Sequence, residues 1–162
     1  MIVFISIISF LLDGVLSKYI SPNSLLLPLF TLVSLVIIYP YFNNNNYRYF
    51  KYIAILGFLY DIVYMNMLFY NFFVFMLLGF INMFIKYLLS HRIYINIFIV
   101  IVLIVVYRLI NYIFLNLTIG NLSINYLIKS IYSSLILNII YCCSIYLISE
   151  WYSKKHRILK SK

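Results

Sequence analysis

Between Lys51 and Lys86 the chain runs through 34 residues with a single charged side chain, Asp61. A straight helix of that length would be ~50 Å long at about 1.5 Å per residue, whereas the hydrocarbon layer of a bilayer is only ~30 Å thick. The segment must therefore fold back on itself as a helical hairpin. Met65-Asn66-Met67 is the most polar place for the turn after Asp61. A third span over 50–65 and a fourth over 68–88 follow from it.

The rest of the chain has the same character. It is 66% hydrophobic and 9% charged, with a mean hydropathy of +1.06. A soluble domain is about half apolar and about a quarter charged, and a chain this short fills its core with a fraction of its apolar side chains. The remainder would form a continuous apolar surface, which soluble monomers do not carry. A soluble enzyme, a zinc module and a disordered tail are excluded. The expected class is an all-α polytopic membrane protein forming a single transmembrane domain over 1–162.

Six spans account for the whole chain. The first covers 2–20 and is read as uncleaved: no basic residue precedes its apolar run 2–12, and no small-x-small site follows that run, where the chain continues Asp13-Gly14-Val15-Leu16-Ser17-Lys18. Ser21-Pro22-Asn23-Ser24 is a turn, and a second span over 25–42 carries Pro28 in its first turn and Pro40 near its end, where a kink is expected. The run Asn43-Asn44-Asn45-Asn46 is a loop. A fifth span over 93–115 and a sixth over 124–151 lead to a basic tail, 153–162. With the N-terminus cytoplasmic, inner segments hold Arg48, Lys51, Lys86, Arg92, Lys154, Lys155, Arg157, Lys160 and Lys162, and outer ones only Lys18, so both termini are expected inside. Because the bases flank spans rather than forming one surface stripe, the net charge of +9 points to anionic lipid at the tail and not to nucleic acid.

Four charges remain within the spans: Asp13, Asp61, Arg108 and Lys129. An ion in the bilayer costs about 2.5–3.5 kcal/mol and normally faces the bundle interior and pairs. Internal ion pairs fixing helix packing are the expectation, with Asp61 and Arg108 joined across the third and fifth spans; an ion pathway or a site for an anionic substrate is the other reading. Asn82, Asn96, Asn111, Asn125 and Asn138 offer hydrogen bonds between helices, and Gly57 and Gly79 permit close helix packing. The adjacent Cys142 and Cys143 lack a second pair that would make a metal site, and His91 and His156 flank spans among bases. With neither a catalytic set nor a phosphate loop, the chain is expected to be neither an enzyme nor a cofactor binder.

The length, the six spans and the short basic tail resemble the bacterial rod shape-determining protein MreD family. The motif is Gly57-Phe58-Leu59-Tyr60-Asp61 closing the third span, followed by an apolar span containing Leu78-Gly79-Phe80. Asp13 and the Pro22 to Pro28 segment also fit, whereas Met65-Asn66-Met67 stands where that family often has a Gly. The resemblance implies a non-enzymatic scaffold of the cell-elongation machinery in the bacterial cell (inner) membrane, helping to organise peptidoglycan synthesis. It would work with an MreC-like membrane protein, the MreB filament, RodA and the elongation penicillin-binding protein. The alternative is a substrate-binding component of an energy-coupling-factor vitamin transporter. Those proteins usually carry an Ala-rich first helix, and here Ala54 is the only alanine, although Ser6, Ser9 and Ser17 are small.

Overall fold

Buried polar side chains are set into an apolar core, and apolar side chains also cover the outside of this bundle. The computed structural model describes residues 2–19, 28–42, 45–65, 69–89, 93–120 and 122–160, with backbone alone for Met65, Ile119 and 152–160. The described elements are helical: α1 (Ile2–Tyr19), α2 (Phe30–Ile38), α3 (Asn46–Tyr60), α4 (Tyr70–Leu88), α5 (Ile93–Ile119) and α6 (Ile124–Lys160). On α1 the buried positions are Ile5, Ser6, Ser9 and Asp13, whereas Val3, Phe4, Ile7, Leu11 and Val15 are exposed. That is the reverse of a soluble amphipathic helix, and it makes sense only with lipid as the surrounding solvent. On α6 the same inversion buries Ser133, Ser134 and Asn138 and exposes Tyr132, Ile136 and Ile140. Four helices, α1, α4, α5 and α6, are long and apolar enough to cross a membrane. The chain is a membrane protein on that ground and on its composition.

The short α2 is the axis of the fold. All nine of its residues are buried, and it packs against α1, α4, α5 and α6. Consecutive helices form three antiparallel pairs, α1–α2, α3–α4 and α5–α6, in which residues late in or just after the first helix reach the start of the second or the residues just before it. Pro40 does more than kink α2: it lacks an amide hydrogen and crowds the preceding turn, so the α-helix stops at Ile38 and tightens into a 3₁₀ turn, Tyr39–Phe42.

Several boundaries differ from the sequence reading. Asn46 is not loop but the first residue of α3, since the Asn45 side chain caps the helix by accepting from the Arg48 amide at 3.1 Å; α3 thus starts four residues before the expected 50. Helix α5 continues past Leu115 to Ile119. Helix α6 runs on through the expected basic tail to Lys160, because nothing between Trp151 and Lys160 is a Gly or Pro that would stop it. The expected turns at Ser21–Ser24 and at Asn66–Met67 lie outside the described residues. The residue that enters α4 with a left-handed backbone is Phe69, at φ 70°, a conformation that costs a non-glycine residue about 1–2 kcal/mol.

Gly57 and Gly79 both lie at the α3–α4 contact, with unequal consequences. A Cβ on Gly57 would stand 2.8 Å from the Asn71 carbonyl oxygen and 2.9 Å from the Phe72 Cα, both backbone atoms. A Cβ on Gly79 would meet only the Cδ1 end of Ile53, which can rotate away. Gly57→Ala should cost about 2 kcal/mol or more by overpacking, and Gly79→Ala much less. Thermal unfolding midpoints of the two purified variants in detergent check this; equal losses would mean that helix separation is not what limits Gly57.

Candidate functional site

The polar residues gather where the three helix pairs turn. Asp13, 3% exposed, sits late in α1, and its carboxylate accepts from the amides of Phe30 at 2.6 Å and Thr31 at 2.8 Å. Those are the opening amides of α2, which have no partner within the helix. One residue earlier, the Leu29 amide donates to Asn138 Oδ1 of α6 at 2.9 Å. The N-terminus of the axial helix is thus satisfied inside the bundle by two other helices. A carboxylate there also meets the positive end of the α2 dipole.

Asp61 repeats this arrangement one pair later. Fully buried, its carboxylate accepts from the Asn71 amide at 2.7 Å, from Asn71 Nδ2 at 3.0 Å and from the Phe72 amide at 3.0 Å. Its own amide lies over a widened final turn of α3, Asp61–Met65, donating to the carbonyls of Gly57 and Phe58. In the third pair the role passes to Asn116 of α5, whose Oδ1 accepts from the Leu122 amide ahead of α6 at 3.1 Å. Each hairpin is therefore closed by a side chain of its first helix that captures backbone amides at or before the start of its second.

This corrects the ion-pair reading. Among the described residues neither Asp13 nor Asp61 contacts a Lys or Arg, and Asp61 and Arg108 are not paired. The acids are drawn instead to helix N-termini, where several amides offer hydrogen bonds without a second ion having to be desolvated. Arg108 turns to α6, donating from Nε to Ser134 Oγ at 2.7 Å, with its Cζ 6.0 Å from the Tyr107 ring centre. Lys129 is exposed on the outside of α6 and pairs with no acid among the described residues.

Further hydrogen bonds tie these helices to their neighbours. Tyr107 Oη donates to Asn71 Oδ1 at 3.3 Å, and Tyr70 Oη donates to Asn111 Oδ1 at 2.6 Å, both across the α4–α5 contact. On the α1 side Tyr64 Oη donates to the Phe10 carbonyl at 2.6 Å, with Phe10, Tyr60 and Tyr64 packed edge to face or tilted. Of the five interhelical asparagines expected, Asn82, Asn111 and Asn138 bond between helices. Asn125 is exposed, and the buried Asn96 Oδ1 has no partner among the described residues.

No family model matches the chain, and no curated protein or solved structure is significantly similar to it. What it does must be read from its own geometry.

One functional charge escaped the sequence reading. Lys86, counted there with the cytoplasmic bases, is 4% exposed and donates from Nζ to the Val36 carbonyl of α2, with the Tyr39 ring centre 5.6 Å away. The signal was present: Asn71, Phe75, Leu78, Asn82 and Lys86 recur every three or four residues and share the buried face of α4. Beside Lys86, Asn82 Nδ2 and Tyr49 Oη both donate to the Leu35 carbonyl, at 3.2 and 3.1 Å. Axial helix α2 is thus held at its N-terminus by an acid and an amide and at its C-terminus by a base, an amide and a phenol.

Proposed function

We propose that this chain is a non-catalytic six-span scaffold of the bacterial cell (inner) membrane, with both termini cytoplasmic, acting in cell elongation as the MreD family does. The observation that carries the reading is the use to which the buried charges are put. Asp13, Asp61 and Lys86 close helix ends around α2 and α4, which favours a rigid bundle that holds partners over a moving carrier. The two shorter helices, α2 with its 3₁₀ turn and α3 with its widened turn, supply the remaining two spans. The interior position of α2 lets a crossing shorter than ~30 Å be shielded by longer neighbours. An MreC-like membrane protein is the partner for the outer helix faces, with the MreB filament, RodA and the elongation penicillin-binding protein in the same assembly. The bases after Trp151 lie against anionic headgroups at about 1 kcal/mol each.

Depletion in the host followed by microscopy tests it. Loss of rod shape with vitamin uptake unchanged is expected, and an MreC-like protein should co-purify in detergent. A normal shape with lost vitamin uptake would instead establish the second reading, a substrate-binding transporter component. That reading is favoured by one feature, the incompletely bonded guanidinium of Arg108.

A further inference from the structure

Arg108 is a partly buried charge near the hairpin turns that the packing does not use up. Its Nε is committed to Ser134 Oγ, while among the described residues no protein acceptor meets its two terminal nitrogens. Asp13 and Asp61, the acids available at this end, have their oxygens taken by backbone amides. The Tyr107 ring lies beside the guanidinium, and among the described residues no carboxylate bonds to it. Tyr107 is buried and already donates to Asn71, whereas Arg108 itself is only partly buried. The site is therefore reachable at the α5–α6 seam.

We propose that Arg108 is the centre of a binding site for an oxyanion, a phosphate or carboxylate group seated on its free terminal nitrogens. A guanidinium presents paired N–H groups that match two oxygens of such a group. Ser134, by holding Nε, fixes the plane of the fork. In an apolar surrounding a cation without an anion is costly, so an oxyanion that neutralises it stabilises the folded bundle. The shared chemistry has two sources, a phospholipid headgroup reaching the seam or a small anion entering from the aqueous side. The inference stands apart from the scaffold reading, since either a scaffold or a carrier could hold such a group.

The test uses the full chain purified in a neutral detergent. Its thermal unfolding midpoint is measured with phosphatidylglycerol, with phosphatidylcholine, and with sodium phosphate against sodium chloride at equal ionic strength. A rise with phosphatidylglycerol alone identifies a headgroup, and a rise with phosphate a small anion. No rise beyond that of phosphatidylcholine or chloride in either arm overturns the proposal. Titrating the active ligand should then give an affinity at least about tenfold weaker in Arg108→Gln and unchanged in Lys129→Gln. If Arg108→Gln does not fold, Arg108→Lys is read instead: a point charge without the fork should bind several-fold more weakly. Unchanged affinity in the variant that is read places the anion elsewhere and overturns the proposal.

Discussion

Asp61→Ala should lower the stability of the protein by about 3 kcal/mol or more, because two buried amides and one side-chain amide lose their acceptor together. Each unsatisfied buried donor costs about 1–3 kcal/mol, and in a bilayer no water can replace the carboxylate. The loss should show as a lower unfolding midpoint in detergent and reduced accumulation in the membrane. Asp13→Ala should cost a similar amount through Phe30 and Thr31. Asp61→Asn should fall between, since one amide oxygen still accepts while its NH₂ group faces a backbone donor. The same geometry fixes the outcome of charge reversal. Had Asp61 been bonded to Arg108, the double variant Asp61→Arg with Arg108→Asp would restore what either single change destroys. With Asp61 bonded to helix amides, an arginine there offers donors to donors, and an aspartate at 108 lies too far to help. The double variant should be no better than Asp61→Arg alone; recovery to near wild-type accumulation would refute the capping assignment.

How far the sequence made this visible depends on which atoms a feature needs. The helices were legible because hydrophobic run length and the ~30 Å hydrocarbon thickness constrain them without reference to partners. The hairpin between Lys51 and Lys86 follows from arithmetic alone, and the structure has α3 and α4 in those places. That Asp13 and Asp61 face inward was equally legible, since lipid excludes them. Their partners were not: an inward acid can satisfy itself on a base or on a helix end, and side-chain composition shows only the base. The orphan amides of Phe30, Thr31, Asn71 and Phe72 belong to the backbone, so they exist only once the helix starts are known. Those starts were misplaced by up to five residues, since α2 is described as helical from Phe30 whereas the span was expected from 25. Lys86 was missed for a related reason. Basic residues at span ends are usually solvated, and only the three-and-four spacing from Asn71 through Asn82 places it on the packed face.

Pro40 and Lys86 should behave as a coupled pair, although they lie on different helices. In an unbroken helix the amide of residue 40 would donate to the Val36 carbonyl; proline has no hydrogen there. Val36 is fully buried, so its carbonyl cannot turn to water, and Lys86 supplies the missing donor from α4. The ammonium also sits at the negative end of the α2 dipole and near the Tyr39 ring, which helps a cation tolerate burial. Lys86→Met should therefore cost about 1–3 kcal/mol, the usual penalty for orphaning a buried acceptor, with no comparable loss from the methionine's own packing. Pro40→Ala returns a backbone donor to Val36. In that background Lys86→Met should cost nothing, and it should even stabilise the protein, since a buried charge with nothing left to serve is replaced by an apolar chain of similar volume. The interaction energy in this double-mutant cycle should reach about 1–3 kcal/mol, read from unfolding midpoints of the four proteins in one detergent. Strictly additive losses would mean that Lys86 is held by its surroundings in α4 and not by the gap that Pro40 leaves in α2.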